Sequence, residues 1–383
     1  MRKQFGLWLG VPAFLILVAW MTAESVAGQG RSSPVDRAWT TAEGQPDLQG
    51  VWTNNGVTPL QRPEALKDRQ FLTDAELEQL KRRSSELFER QQAGDLIGDR
   101  LFQEFVKDPN LRPFDPDTGN YNSFWLVGRS FDNRTSLIID PPNGRLPPRV
   151  SSSDQGRRPR PTGATSGPAS PEDLSLGERC ITYGVPWLVA GYNSYFEIFQ
   201  TSNHVAILQE MIHDVRIIPL DGRPQSDGRL RLWNGDSRGR FEGDTLVVTT
   251  TNYSPKTRLQ GSSENLRLVE RFRRVSADTL EYRLTFEDPT VWTTPWTMMI
   301  PLKRSNEKIY EYACHEGNHS LPGILAGARK LEKDPSHDHS RGLKAHPPGL
   351  AGIDRPPTAR PEPLSRLRRA HPFYLVGNSY PTR

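Results

Sequence analysis

The sequence predicts a mainly β protein, an antiparallel β-barrel or sandwich carrying an N-terminal helix-and-loop layer. Three observations lead there. Between positions 195 and 314, nine strand-length runs rich in β-branched and aromatic residues follow one another, separated by turn signals rather than helix-length crossovers. In Leu280-Glu281-Tyr282-Arg283-Leu284-Thr285-Phe286 every second residue is apolar, as in an antiparallel strand with one wet face. The 31 Gly and 33 Pro among 383 residues interrupt regular elements often enough to exclude a coiled coil or a helical bundle.

In chain order, Arg2 and Lys3 precede an apolar run from Phe5 to Trp20, and Ser25-Val26-Ala27 supplies small residues for a cleavage site. This is the pattern of a secretory signal peptide over 1–27, with cleavage after Ala27. The run is short for the ~20 residues that span a bilayer, so export without stable membrane insertion is expected. Residues 28–140 read as an extended and helical layer. Within it Thr73-Asp74-Ala75-Glu76 forms a capping box, opening a helix to about Ala93 with Leu77, Leu80, Leu87 and Phe88 on one face. Short strands are expected at 124–128 and 135–140. Residues 141–171, rich in Pro, Gly, Ser and Arg, predict a flexible loop.

The β-rich domain is expected over 172–329. Its runs are Tyr195–Gln200, His204–Glu210, Asp214–Pro219, Leu230–Asn234, Thr245–Thr251, Leu266–Val275, Thr279–Glu287, Thr297–Arg304 and Lys308–Cys314. A short helix follows from Gly323 to Lys333. Residues 330–383 form a Pro-rich tail, expected to be disordered. Counted from Arg329, it has 11 basic and 5 acidic residues, a balance suited to weak contact with envelope polyanions. The net charge of +4 on the whole chain argues against a nucleic-acid partner.

Candidate chemistry falls in three places. His315-Glu316-Gly317-Asn318-His319 is a formal H-E-x-x-H, which binds zinc only when His315 and His319 share a helix face. Gly317, Asn318 and Pro322 disfavour that helix, so a corner gathering Cys314, His315 and Glu316 is expected instead. Glu210 and His213, in the link between two strands with Arg216 beyond, would present a carboxylate and an imidazole for proton transfer or ligand binding. Asp236-Ser237-Arg238-Gly239-Arg240 reads as a turn, with anion binding as the alternative. Trp187, Tyr195 and Trp296 belong to aromatic clusters suited either to stacking on a ligand or to core packing. Arg216, Arg238 and Asn318 complete the ligand-binding candidates. The two cysteines, Cys180 and Cys314, suggest a disulfide in an oxidising compartment. The alternative is a reactive or metal-binding thiol. No cofactor is expected, and zinc or copper would enter only through the Cys314–His315 corner.

Three segments carry a resemblance. Asp47-Leu48-Gln49-Gly50-Val51-Trp52, Gly235-Asp236-Ser237-Arg238-Gly239-Arg240-Phe241-Glu242-Gly243-Asp244-Thr245-Leu246-Val247-Val248 and Tyr310-Glu311-Tyr312-Ala313-Cys314-His315-Glu316-Gly317-Asn318 resemble the signature of a large uncharacterised family of exported soil-bacterial proteins. The resemblance spans roughly 45–329 and implies export and a β-rich fold but no activity. Members of that family often have an aromatic residue where this chain has His319, which weakens a zinc role. Gly50-Val51-Trp52 is also similar to the G-x-W first strand of the calycin barrels, the lipocalin type. That is a likeness of fold, and more than 130 residues separate Trp52 from the main strand series.

Together these readings lead to an exported β protein that binds a small organic ligand, apolar or saccharide, in a barrel or cleft. The alternative is a secreted lyase, isomerase or hydrolase using His213 or His315 with Glu210, Glu316 or Asp236 in the same cavity.

Overall fold

The structure, a computed structural model, describes residues 39–89, 128–150, 167–186, 193–257 and 259–333. The expected leader, Trp187 and nearly all of the basic tail lie outside the described residues, as does most of the strand expected at 124–128. All the described residues belong to one compact unit.

Within this unit, ten strands form a single antiparallel sheet: β1 (Gly50–Thr53), β2 (Ile138–Asp140), β3 (Tyr195–Gln200), β4 (His204–Gln209), β5 (Val215–Pro219), β6 (Asp236–Glu242), β7 (Thr245–Thr251), β8 (Arg267–Ser276), β9 (Thr279–Glu287) and β10 (Trp296–Ser305). Their order is β5-β4-β3-β1-β10-β9-β8-β7-β6, and β2 pairs with β10 beside β9 and β1. The predicted alternation holds along β9, where Leu280, Tyr282, Leu284 and Phe286 are buried. Each such side chain contributes roughly 1.5–3 kcal/mol through burial. The turn signals fall where expected, with Gly243 at φ 61° in the two-residue link between β6 and β7.

β1 sits at the middle of the sheet, between β3 and β10, and buries Trp52 completely. The N-terminal layer is therefore not separate from the β domain, because it supplies two of the sheet's strands. The capping box forms as read: the Thr73 N–H donates to Glu76 Oε2 at 2.8 Å and the Glu76 N–H to Thr73 Oγ1 at 3.3 Å. It opens α1 (Asp74–Glu89), with Leu80 fully buried; the expected helix end near Ala93 lies outside the described residues. The Arg69 guanidinium, and then the Thr73 N–H, hold the Glu76 carboxyl down at about 2. Of the predicted loop, 151–166 lie outside the described residues; its first part, 141–150, is anchored: the Val150 N–H donates to the Val291 carbonyl at 2.9 Å and Arg149 stacks over Trp292.

Three expectations are corrected. Asp236–Arg240 is not a turn but most of β6, paired with β7 from Asp236↔Thr251 to Glu242↔Thr245. Leu230–Asn234 is not a strand. It makes one bridge, Leu232 to Tyr253, leaves Leu230 and Leu232 exposed, and turns at Gly235, where a Cβ would stand 2.7 Å from the Thr251 carbonyl oxygen. Lys308–Cys314 is also not a strand. It follows β10, whose two edges are already taken by β9 on one side and by β1 and β2 on the other, so no ladder is open to it.

The end strands β5 and β6 lie alongside each other without pairing, so the ladder does not close. Gly239 on β6 permits the approach, since a Cβ there would stand 2.8 Å from Ile218 and 2.7 Å from Leu220. Side chains bridge the gap. Arg216 on β5 donates from Nε to Ser237 Oγ on β6 at 3.0 Å and from Nη2 to Thr250 Oγ1 on β7 at 3.2 Å. It forms a two-pronged ion pair with Glu270 on β8, with one bond at 2.9 Å. The Tyr282 hydroxyl donates to the same carboxylate, and its ring stacks on Phe272 at 4.3 Å. All of these groups are buried. The cavity beside them holds only about 20 Å³, little more than a single water. The interior expected to receive a ligand is filled by the protein's own side chains.

Removing one partner of a buried ion pair leaves the other uncompensated, at a cost of about 3–5 kcal/mol. Glu270→Ala is expected to destabilise by that amount in chemical denaturation. The double variant Arg216→Met/Glu270→Met is expected to recover most of the loss.

Candidate functional site

A cleft of about 960 Å³ lies where β3 begins and β4 ends, on the outer side of the sheet. The burial of Phe196, Ile198, Val205 and Ile207 shows which face points inward; Tyr195 and Glu197 project from the other. Two segments outside the sheet wall the cleft, one around 177–183 and one over 307–320.

Glu210 forms the floor. Its backbone N–H donates to the Tyr195 carbonyl at 3.1 Å, continuing the β3–β4 pairing by one residue. The chain then turns sharply through Ile212 (φ 60°) and His213 (φ 45°). A β-branched residue in the left-handed region costs on the order of 1–3 kcal/mol. Burial of Met211 and Ile212 in the core offsets that cost and holds the turn.

The 307–320 segment is tied to this turn and to the opposite wall. His213 Nδ1 donates to the Tyr312 carbonyl at 2.9 Å, and the Tyr310 N–H donates to Glu210 Oε1 at 3.3 Å. Asn318 Nδ2 donates to the Glu178 carbonyl at 2.9 Å. The Cys180–Cys314 disulfide joins the two walls across a sequence separation of 134, with Cα atoms 5.7 Å apart. In the chain-entropy model a loop of that length is worth about 5 kcal/mol. Asn318 Oδ1 also accepts the Leu321 N–H at 3.2 Å at the start of α2 (Ser320–Lys333). The Arg329 side chain of α2 donates to the Ala169 carbonyl at 2.7 Å.

The Glu210 side chain is 3% exposed. Its Oε1 accepts Tyr310, whereas Oε2 is buried without a hydrogen-bond partner, as is Asn193 Oδ1; both residues line the cleft. Burial pushes the Glu210 carboxyl up, against the lowering effect of the Tyr310 and Tyr195 N–H groups and the Asn193 side chain. Burial also pushes the Tyr195 hydroxyl up, reinforced by the negative charges of Glu307 and Glu210. Tyr183, Tyr310 and Tyr312 contribute rings, and Glu178, Glu307 and Glu311 stand at the rim.

The predicted residues are thus divided. The cleft brings together Glu210, Tyr195, Asn318, Cys180 and Cys314. His213 is exposed outside it and acts as a strut. His315, Glu316 and His319 are exposed on the turn before α2, so the two histidines share no helix face. The Cys314 sulfur is committed to the disulfide and is neither a nucleophile nor a thiolate ligand. Asp236 is buried elsewhere, ion-paired to Arg238 and accepting the Ser226 N–H at 2.6 Å; Arg238 is held by that pair and the Pro224 carbonyl. Arg216 is spent on Glu270. Trp296 is fully buried, stacked on Phe286 at 4.1 Å. Asn193 and Tyr310 were missed: a single Asn before a strand carries no distinguishing pattern, and Tyr310 read as part of a strand.

Comparison with protein-family models finds no match, and comparison with curated proteins finds none either. The site's chemistry therefore has to be read from its own groups.

Burial of Glu210 has a pH signature. Above the ordinary carboxyl value of 4.5 the unfolded chain releases this proton while the folded protein keeps it, so stability falls with rising pH until the raised folded value is passed. Glu210→Gln is expected to be more stable than the parent at pH 7 and to match it near pH 4. Melting temperatures across that range check this.

Proposed function

We propose that this is an exported β-rich protein that takes a small organic ligand into the cleft between the β3–β4 end and the 307–320 segment. The observation that carries this reading is the pair of buried, unpartnered acceptors, Glu210 Oε2 and Asn193 Oδ1, on residues that line a cavity of ligand size. A buried acceptor without a partner costs about 1–3 kcal/mol, a cost that a ligand's donor group removes on binding. Tyrosine rings beside such acceptors supply flat apolar surface for the rest of the ligand. Export is supported by the leader-like N-terminus, by the Cys180–Cys314 disulfide and by the resemblance to an exported family. Among the described residues no helix is long and apolar enough to cross a membrane.

The alternative, an enzyme, draws support from the raised Glu210 carboxyl, which suits a general acid. It has no imidazole to work with in the cleft, because no histidine is among the described lining residues. Binding is therefore the preferred reading.

A thermal-shift screen of saccharides and small polar organic molecules, followed by amide hydrogen exchange on each hit, tests it. Hits are expected to protect 193–195, 210 and 307–318, and Tyr310→Ala is expected to weaken them about tenfold. Protection confined to other surfaces contradicts the reading.

A further inference from the structure

When Glu210 is ionised, its Oε2 and Asn193 Oδ1 are both unpartnered acceptors, so the ligand atom that reaches them is a donor. The charge around them has one sign. Glu178, Glu210, Glu307 and Glu311 line the cleft, and no lysine, arginine or histidine is among the described lining residues. Glu178, Glu307 and Glu311 are exposed at the rim, where they draw cations in from solution. Tyr195 and Tyr310 also line the cleft, and aromatic rings attract a cation and pack against its aliphatic stem. Neutral hydroxyl groups would satisfy the acceptors but would gain nothing from four carboxylates.

We infer that the ligand is a small organic cation, whose primary ammonium or guanidinium group donates to Glu210 Oε2 and Asn193 Oδ1 while its stem lies along Tyr195 and Tyr310. This rests on the cleft being a ligand site and specifies the class of ligand. A quaternary ammonium fits less well, since it has no N–H to donate. The charged donor also favours the ionised form of Glu210, which burial alone disfavours.

Isothermal titration of the full chain tests this with four probes: 1,5-diaminopentane, butylguanidinium, choline and the neutral isostere 1,5-pentanediol. The first two are expected to bind in about the millimolar range or tighter, and choline and the diol at least about tenfold more weakly. Glu210→Gln keeps the shape of the side chain and removes its charge; it is expected to weaken the diamine at least about tenfold while retaining a cooperative melt. Equal binding of diol and diamine, with hydrogen exchange still protecting 307–318, would overturn the cation assignment and leave the ligand cleft standing. Diamine binding unchanged in Glu210→Gln would overturn the floor contact. No binding by any probe, together with no cleft-protecting hit in the screen, overturns both readings.

Discussion

The fold depends on one buried guanidinium. A sheet of ten strands whose end strands meet without pairing leaves unpaired backbone and a seam through which water would reach the core. Arg216 spans that seam from inside, touching side chains on β6, β7 and β8 in turn. Its five N–H donors are what make this possible, because a lysine could not engage Ser237, Thr250 and both Glu270 oxygens at once. Two desolvated charges are costly, and the cost is met only where every lone pair and proton is engaged. Here Tyr282 completes the carboxylate's coordination.

That solution bears on the proposed ligand site. Arg216, Glu270, Tyr282 and Phe272 occupy the inner face of the sheet, and the cleft lies on its outer side, where β3 begins and β4 ends. The chain that leaves β10 has no free edge beside that strand and crosses the cleft as irregular backbone. Tyr310, Tyr312, Asn318 and Cys314 then fasten it to the turn and to the opposite wall. The same strained turn that receives these tethers places Glu210 beneath them. Support of the cleft and burial of its carboxylate are thus parts of one local arrangement.

Much of this was legible in the sequence, and what was not has physical reasons. Alternation in Leu280–Phe286 identified β9 because that strand has one wet face. The helix start at Thr73 was readable because a capping box is purely local. β6 was hidden by its polarity: Ser237 faces inward to meet Arg216, a partner that only the approach of β5 to β6 reveals. Lys308–Cys314 has the composition of a strand, but a strand also needs a free edge, which is a property of topology. Glu210 was singled out for its place in the link between two strands, whereas His213, three residues on, is turned outward by the left-handed step at Ile212 and His213. The disulfide followed from there being two cysteines and an expected oxidising compartment. The burial of Trp296 and the ion pair of Arg238 depended on neighbours that sequence spacing does not show.

The central claim is that Glu210 is a buried carboxyl, incompletely partnered, at the floor of an anionic cleft. Carbon-13 NMR of side-chain carboxyls through a pH titration, assigned by Glu210→Gln, measures this directly. Glu210 is expected to titrate clearly above the ordinary glutamate value of 4.5 and to move down when a diamine is added. Titration of Glu210 at or below that ordinary value would contradict the assignment.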